Sequence, residues 1–132
     1  MVTPRHEKLW IWQKAHKLRL KISNICQQLP TSERYKLSDQ IERSSNAIAD
    51  NIAEGNSSYY YNDKIKSLHT ARKEAGETQN HLRHMEDKKY LDAKASQQHI
   101  DECEEILRGI NGLIRTISEK RDKGYKKGAK RI

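Results

Sequence analysis

Phenylalanine is absent from all 132 residues, and hydrophobic residues of every kind make up only 34% of them. With 33% charged residues, both signs interspersed, such a chain stays disordered unless its few apolar positions share one seam. A narrow helical stripe is the architecture that folds on so little apolar material. No apolar run approaches the ~20 residues that a membrane-spanning helix needs, which argues against a membrane partner. The stretch "MVTPRHEKLWIW" lacks the basic-then-apolar layout of a secretory signal. Cysteine is scarce too: Cys26 and Cys103 lie far apart, on apolar positions of separate predicted helices. That placement suits buried free thiols in a reducing compartment, so a single-domain cytoplasmic protein is expected.

What is present is periodicity. Ile11, Ala15, Leu18, Ile22, Ile25 and Leu29 step by 4, 3, 4, 3, 4, an unbroken helical seam that Pro30 stops. Thr31 or Ser32 can cap a second helix, with Glu33 favourably placed in its first turn. That helix carries Leu37, Ile41, Ser44, Ile48 and Ile52, and Gly55 suits a left-handed residue just past its end. A third helix carries Ile65, Leu68, Ala71 or Arg72, Ala75, Thr78, Leu82 and Met85. A fourth shows Ile100, Cys103, Leu107, Ile110, Ile114 and Ile117, with Gly109 and Gly112 as places where another helix could approach. The spacing predicts helices over about 8–29, 32–54, 62–88 and 92–119 with no strand. The expected fold is all-α, an antiparallel up-down-up-down four-helix bundle over residues 1–119. The basic stretch 120–132 has no seam and is expected to be disordered when free.

The second helix is unusual, because Ser44, Ser45, Ala47, Ala49 and Ala53 put small residues around most of its circumference. Small side chains let backbones come close and pack by dispersion. Two small-residue faces suggest that the outer one is covered by another subunit. Asn51 sits among them. Buried without a partner it would cost roughly 1–3 kcal/mol, so it either bonds a neighbouring group or is exposed near the helix end.

The net charge of +8 is unevenly placed. Residues 120–132 carry seven basic residues (Lys120, Arg121, Lys123, Lys126, Lys127, Lys130 and Arg131) against one acid, residues 8–29 carry +5, and residues 92–119 carry −3. Lys14, Lys17 and Lys21 fall at i, i+3 and i+7, a positive stripe beside the first seam. Cations at this density can bind nucleic acid by counterion release, and Tyr125 within the tail could stack on an unpaired base. Two blander alternatives stand beside this reading. The tail can serve solubility, and the stripe can pair with the acidic fourth helix of its own or a neighbouring subunit.

Other chemistry finds less support. Glu77, His81 and His84 share a face of the third helix, yet no histidine has a glutamate three residues before it, so the di-metal bundle pattern is missing and no metal is expected. Seam cysteines are inert, no phosphate-binding glycine loop is present, and nothing argues for an enzyme or a cofactor.

"LWIWQKA", "SERYKLSDQIERSSNAIADNIAEG" and "ARKEAGETQNHL" resemble the small helical proteins encoded in intervening sequences of bacterial large-subunit ribosomal RNA genes. The accessory variability determinant of diversity-generating retroelements belongs to the same group. Trp12, Gln13, Lys14, Ala15, Tyr35, Leu37, Gln40, Arg43, Asn51, Ile52, Ala53, Glu54, Gly55 and Glu77 match the pattern. Ser58 stands where the family usually has arginine, and Lys64 and Ser67 where it often has phenylalanine. The resemblance implies a homopentameric ring with a basic centre and no enzymatic activity, with Trp12, Tyr35, Gln40, Asn51, Glu54 and Gly55 as structural or oligomer residues. A non-catalytic scaffold binding RNA or DNA is the expected function. The alternative is an accessory adaptor that docks on a reverse transcriptase.

Overall fold

The computed structural model describes residues 1–126, the last two by backbone alone. Four helices dominate: α1 (Trp10–Gln27), α2 (Asp39–Ser57), α3 (Tyr61–Asp87) and α4 (Ala93–Lys126), with no strand element among the described residues. A 3₁₀ turn, Arg5–Lys8, leads into α1 through the extended residue Leu9. After Pro30 the chain makes a second 3₁₀ turn, Thr31–Glu33, and a π-helical turn, Arg34–Ser38, before α2 begins. The second helix was expected from residue 32, so its first turns are wound differently from the rest.

Two expected helix ends are corrected. Gly55 was assigned a left-handed position after α2, but α2 continues to Ser57 and the positive φ among the non-glycine residues belongs to Lys89. The terminal carbonyls of α2 need no glycine cap, because the Lys64 ammonium reaches back and donates to the Gly55 and Asn56 carbonyls at 3.2 and 2.8 Å. Gly55 serves close approach instead. A Cβ there would lie 3.2 Å from the Lys64 carbonyl oxygen and 3.3 Å from the Ser67 Cβ. The second correction concerns 120–126, expected to be disordered and found in α4. Lysine and arginine are good helix formers and sit well near a helix C-terminus. Half-buried Ile114 and Ile117 carry this stretch along the core, and Arg121 is anchored to Asn62 Oδ1 at 3.1 Å. Residues 127–132 lie outside the described residues.

The core follows the seams with a one-residue offset in places. In α1, Ile11, Ala15, Leu18, Ile22 and Cys26 are buried, while Ile25 and Leu29 are half-buried beside them. In α4 the buried row is Ser96, His99, Cys103, Ile106 and Ile110, and Ile100 and Leu107 flank it. The α3 seam falls as expected, with Ala71 rather than Arg72 inside. Each fully buried isoleucine or leucine contributes about 1.5–3 kcal/mol relative to exposure.

The doubly faced α2 is explained largely within one chain. It packs on both α1 and α3, and Ser44, Ser45 and Ala49 are all buried. Ser44 Oγ and Thr78 Oγ1 share a hydrogen bond of 2.9 Å across the α2–α3 contact, and each hydroxyl also lies within donating range of a carbonyl of its own helix. Of the two glycines expected to admit another helix, one does. A Cβ on Gly109 would overlap Ile11 and the Trp10 ring, whereas Gly112 faces open space.

At one end, two loops are tied together. The α3 terminus closes with Lys89 at φ 64°, Lys89 N–H donating to the Glu86 carbonyl and Tyr90 N–H to the Met85 carbonyl, a Schellman arrangement. That turn presents Lys88 and Tyr90 to Glu33, a nearly fully covered carboxylate of the α1–α2 connection. Lys88 Nζ and Tyr90 Oη (2.7 Å) both donate to Glu33 Oε2. Chiefly the Lys88 hydrogen bond, then that of Tyr90, holds Glu33 below the usual carboxylate range. A carboxylate lowered on folding stabilises above its unfolded pKa, and the effect is lost as pH falls through its folded value. Glu33→Gln should therefore melt below the parent at neutral pH, and the gap should close as pH falls below about 4. Thermal melts followed by circular dichroism across that range check this. A gap independent of pH would show that the stabilisation does not come from the ionised Glu33 carboxylate, and no gap at neutral pH would show that the clamp does not stabilise the fold.

Candidate nucleic-acid interface

The α1 stripe faces the acidic row of α4. Lys14 Nζ meets Glu105 Oε2 and Lys21 Nζ meets Glu102 Oε2, both at 2.7 Å. Glu102 also accepts from His99 Nδ1 at 2.6 Å through its other oxygen. Burial pushes the Glu102 carboxyl up, but the hydrogen bonds from Lys21 and His99 outweigh it and leave the group below its ordinary range. Two of the three predicted stripe lysines are thus balanced inside the chain, which is one of the alternatives that the charge pattern left open. Lys17, between them, is exposed and its side chain makes no ion pair among the described residues.

The second group of predicted cations sits at the far end of α4. Lys120 and Lys123 are exposed, and neither side chain has an ion-pair partner among the described residues. Arg121 bonds Asp122 at 3.2 Å in addition to Asn62. Lys126 is helical in its backbone, and Lys127, Lys130 and Arg131 lie outside the described residues, as does the side chain of Tyr125. The acids of α4 that meet α1, Glu102 and Glu105, stand well before this end, where Glu119 and Asp122 are outnumbered by the cations. Positive charge therefore accumulates where no acid row faces it.

The residues marked by the family pattern fall into two sets. Trp12 is half-buried, stacked on His16 with ring centroids 4.7 Å apart and met edge-on by His6 at 5.0 Å. Gly55 is buried at the α2–α3 contact. Asn51 is half-buried and donates to the Ala47 carbonyl of its own helix at 2.8 Å, so its amide bonds locally rather than across helices. Tyr35 is 85% exposed, and Gln40 and Glu54 are exposed as well. None of these three side chains makes a hydrogen bond or ion pair among the described residues.

Among the described residues no group of three histidine, cysteine or acidic side chains is placed to hold a metal ion. Both cysteines are buried free thiols. Burial first, then the Glu42 carboxylate, pushes Cys26 up to about 11, and burial pushes Cys103 up to about 12, so neither is a thiolate at neutral pH. Among the described residues no helix is long and apolar enough to cross a membrane.

A model of the 23S rRNA-intervening sequence protein family matches residues 7–112. The chain belongs to this family. Among solved structures it is similar to a protein of unknown function from the S23 ribosomal protein family of Bacteroides thetaiotaomicron. The two are 25% identical, the match covers 80% of this chain and 95% of the other, and they superpose with a TM-score of 0.74. No curated protein matches.

The structure also brings together cations that the sequence did not single out. Arg5, from the N-terminal turn, and Lys64, from α3, line one open cleft of about 670 Å³. Their separation along the chain hides the pairing from any local pattern. For the α1–α4 ion pairs, partial exposure of both partners keeps each contribution within roughly 0–1 kcal/mol. Lys14→Gln and Lys21→Gln should each cost less than about 1 kcal/mol in urea unfolding. A larger loss would mean that the stripe is structural and closed to any ligand.

Proposed function

We propose that the protein is a non-catalytic scaffold that binds RNA in the cytoplasm, working as a homopentameric ring of antiparallel up-down-up-down bundles. The observation that carries the RNA reading is the separation of charge: α4 acids neutralise Lys14 and Lys21, while Lys17, Lys120 and Lys123 remain exposed without an acidic partner among the described residues. Such cations attract phosphate, and each contact adds affinity through counterion release without reading bases. Family membership, carrying the name of an rRNA intervening sequence, agrees with RNA as the target. Because the α1–α4 pairs are weak, phosphate can replace Glu102 and Glu105 on their lysines at small cost.

The bundle arrangement is supported by partners that rise in number on one helix as they fall on the next. Arg72 bonds Asn111, Gln79 bonds Glu104 and Arg83 bonds Gln97. Lys14 and Lys21 meet Glu105 and Glu102 in the same opposed order. The ring is supported by the exposed family residues Tyr35, Gln40 and Glu54, which a second subunit would cover. Five copies repeat each exposed cation five times, raising the field that a polyanion meets.

The combined variant Lys17→Glu, Lys120→Glu and Lys123→Glu should bind structured RNA at least tenfold more weakly than the parent in a filter or anisotropy assay, at unchanged molar mass by light scattering. Unchanged affinity would contradict the RNA reading. A parent that is pentameric yet binds no RNA would redirect it to a protein partner such as a reverse transcriptase. A monomeric parent would contradict the ring.

A further inference from the structure

The cleft between the N-terminal turn and the α2–α3 junction joins cations from two distant parts of the chain. It is lined by Arg5, His6, Asn56, Ser57, Tyr59 and Lys64, with Pro4 and Ser58 completing it, and no carboxylate is among them. Elsewhere, the cations that α1 turns toward α4 face acids. Here two face each other. Burial first, then the Arg5 charge, lowers Lys64 from its ordinary value, as expected where positive charge stands uncompensated.

The two cations also keep donors that no group of the described chain takes up. An ammonium has three N–H donors, and Lys64 uses two of them on the Gly55 and Asn56 carbonyls. Those bonds fix the side chain and leave one donor for a further acceptor. Arg5 is exposed, and its guanidinium makes no ion pair or hydrogen bond among the described residues. Its five donors form a fork suited to two oxygens of a phosphate. The volume, about 670 Å³, falls in the range of small-molecule sites. At the rim Tyr59, 53% exposed, meets Tyr60, 49% exposed, edge to face at 5.0 Å. Aromatic surface beside a cationic groove is the arrangement that holds single-stranded nucleic acid, one base stacked while its phosphate is gripped.

We propose that this cleft is a phosphate site in which Arg5 and Lys64 hold one backbone phosphate of single-stranded RNA while Tyr59 or Tyr60 stacks on the adjoining base. The inference rests on the RNA reading for its ligand and on side chains other than Lys17, Lys120 and Lys123, although Arg121 at the end of α4 meets α3 at Asn62. A free phosphate shares the chemistry that Arg5 and Lys64 recognise, so the aromatic rim must distinguish the two.

The test titrates the full chain with inorganic phosphate, with uridine 5′-monophosphate and with a short oligouridylate, following backbone amides by NMR. Each ligand is expected to shift the amides of Arg5, Asn56, Ser57 and Lys64, with the oligonucleotide binding tightest. Arg5→Gln should weaken all three by about tenfold, the value of one charge-assisted hydrogen bond. Tyr59→Ala with Tyr60→Ala should weaken the oligonucleotide and leave inorganic phosphate unchanged. Lys64→Gln can disturb the end of α2, so the deciding variant is Arg5→Gln, which removes no hydrogen bond or ion pair among the described residues. If the oligonucleotide binds with parental affinity to Arg5→Gln but not to the Lys17, Lys120 and Lys123 reversal, the cleft is overturned and the RNA reading stands. If inorganic phosphate binds in the cleft while no oligonucleotide does, the RNA ligand is overturned along with the wider reading. Shifts confined to other residues overturn the site for every phosphate.

Discussion

The close contact of α2 with α3 is the constraint on which the rest depends. A chain with so few large apolar side chains cannot fill wide spaces between helices, so its helices must approach until backbone and small side chains touch. Gly55 permits that at one end, and the Ser44–Thr78 hydrogen bond fills the middle without leaving a buried hydroxyl unpaired. From this contact two consequences follow. The connection between α2 and α3 is so short that Lys64 lies beneath the end of α2 and caps its carbonyls. The same geometry turns Lys64 toward Arg5 and opens the cleft between them.

Charge is organised by the opposite flank. Glu102 and Glu105 of α4 lie along α1, far from the basic end of the helix, so the neutralisation of Lys14 and Lys21 is local. As built, the exposed cations without an ion pair among the described residues include Lys120 and Lys123 at the end of α4, Lys17 and Arg5 of the cleft. The chain keeps a net charge of +8 while its central helices are held together partly by ion pairs.

Much of this is legible in the sequence because 3–4 spacing survives even when residues are small. Ala15, Ala71, Ala75 and Thr78 fall on seams by position, and each is buried. The offset in α4 is illegible for a physical reason. Ser96 and His99 are polar; Ser96 is buried by donating to the Leu82 carbonyl of α3, a partner that only tertiary structure supplies, while His99 bonds Glu102 one turn along its own helix. Hydrophobicity alone favoured the neighbouring row with Ile100 and Leu107. Gly55 was misplaced because a glycine near a helix end is usually a cap, and the lysine that replaces the cap comes from the next helix. The helical run of 120–126 was missed because its support, Asn62 on α3, is distant in sequence. Arg5 and Lys64 carry no local signature at all. The pairing of Lys14 and Lys21 was one of two readings, and distances of 2.7 Å decide it for the isolated chain.

The most direct test of the charge account is the salt dependence of RNA binding. The parent is compared with a full-length variant carrying glutamine at Lys120, Lys123, Lys126, Lys127, Lys130 and Arg131, Arg121 being left to hold Asn62. If this end of the chain meets phosphate, the slope of log K against log salt becomes shallower by about 0.7 for each phosphate that is no longer neutralised. Parallel slopes at similar affinity would contradict the account and place the RNA-binding surface elsewhere on the molecule.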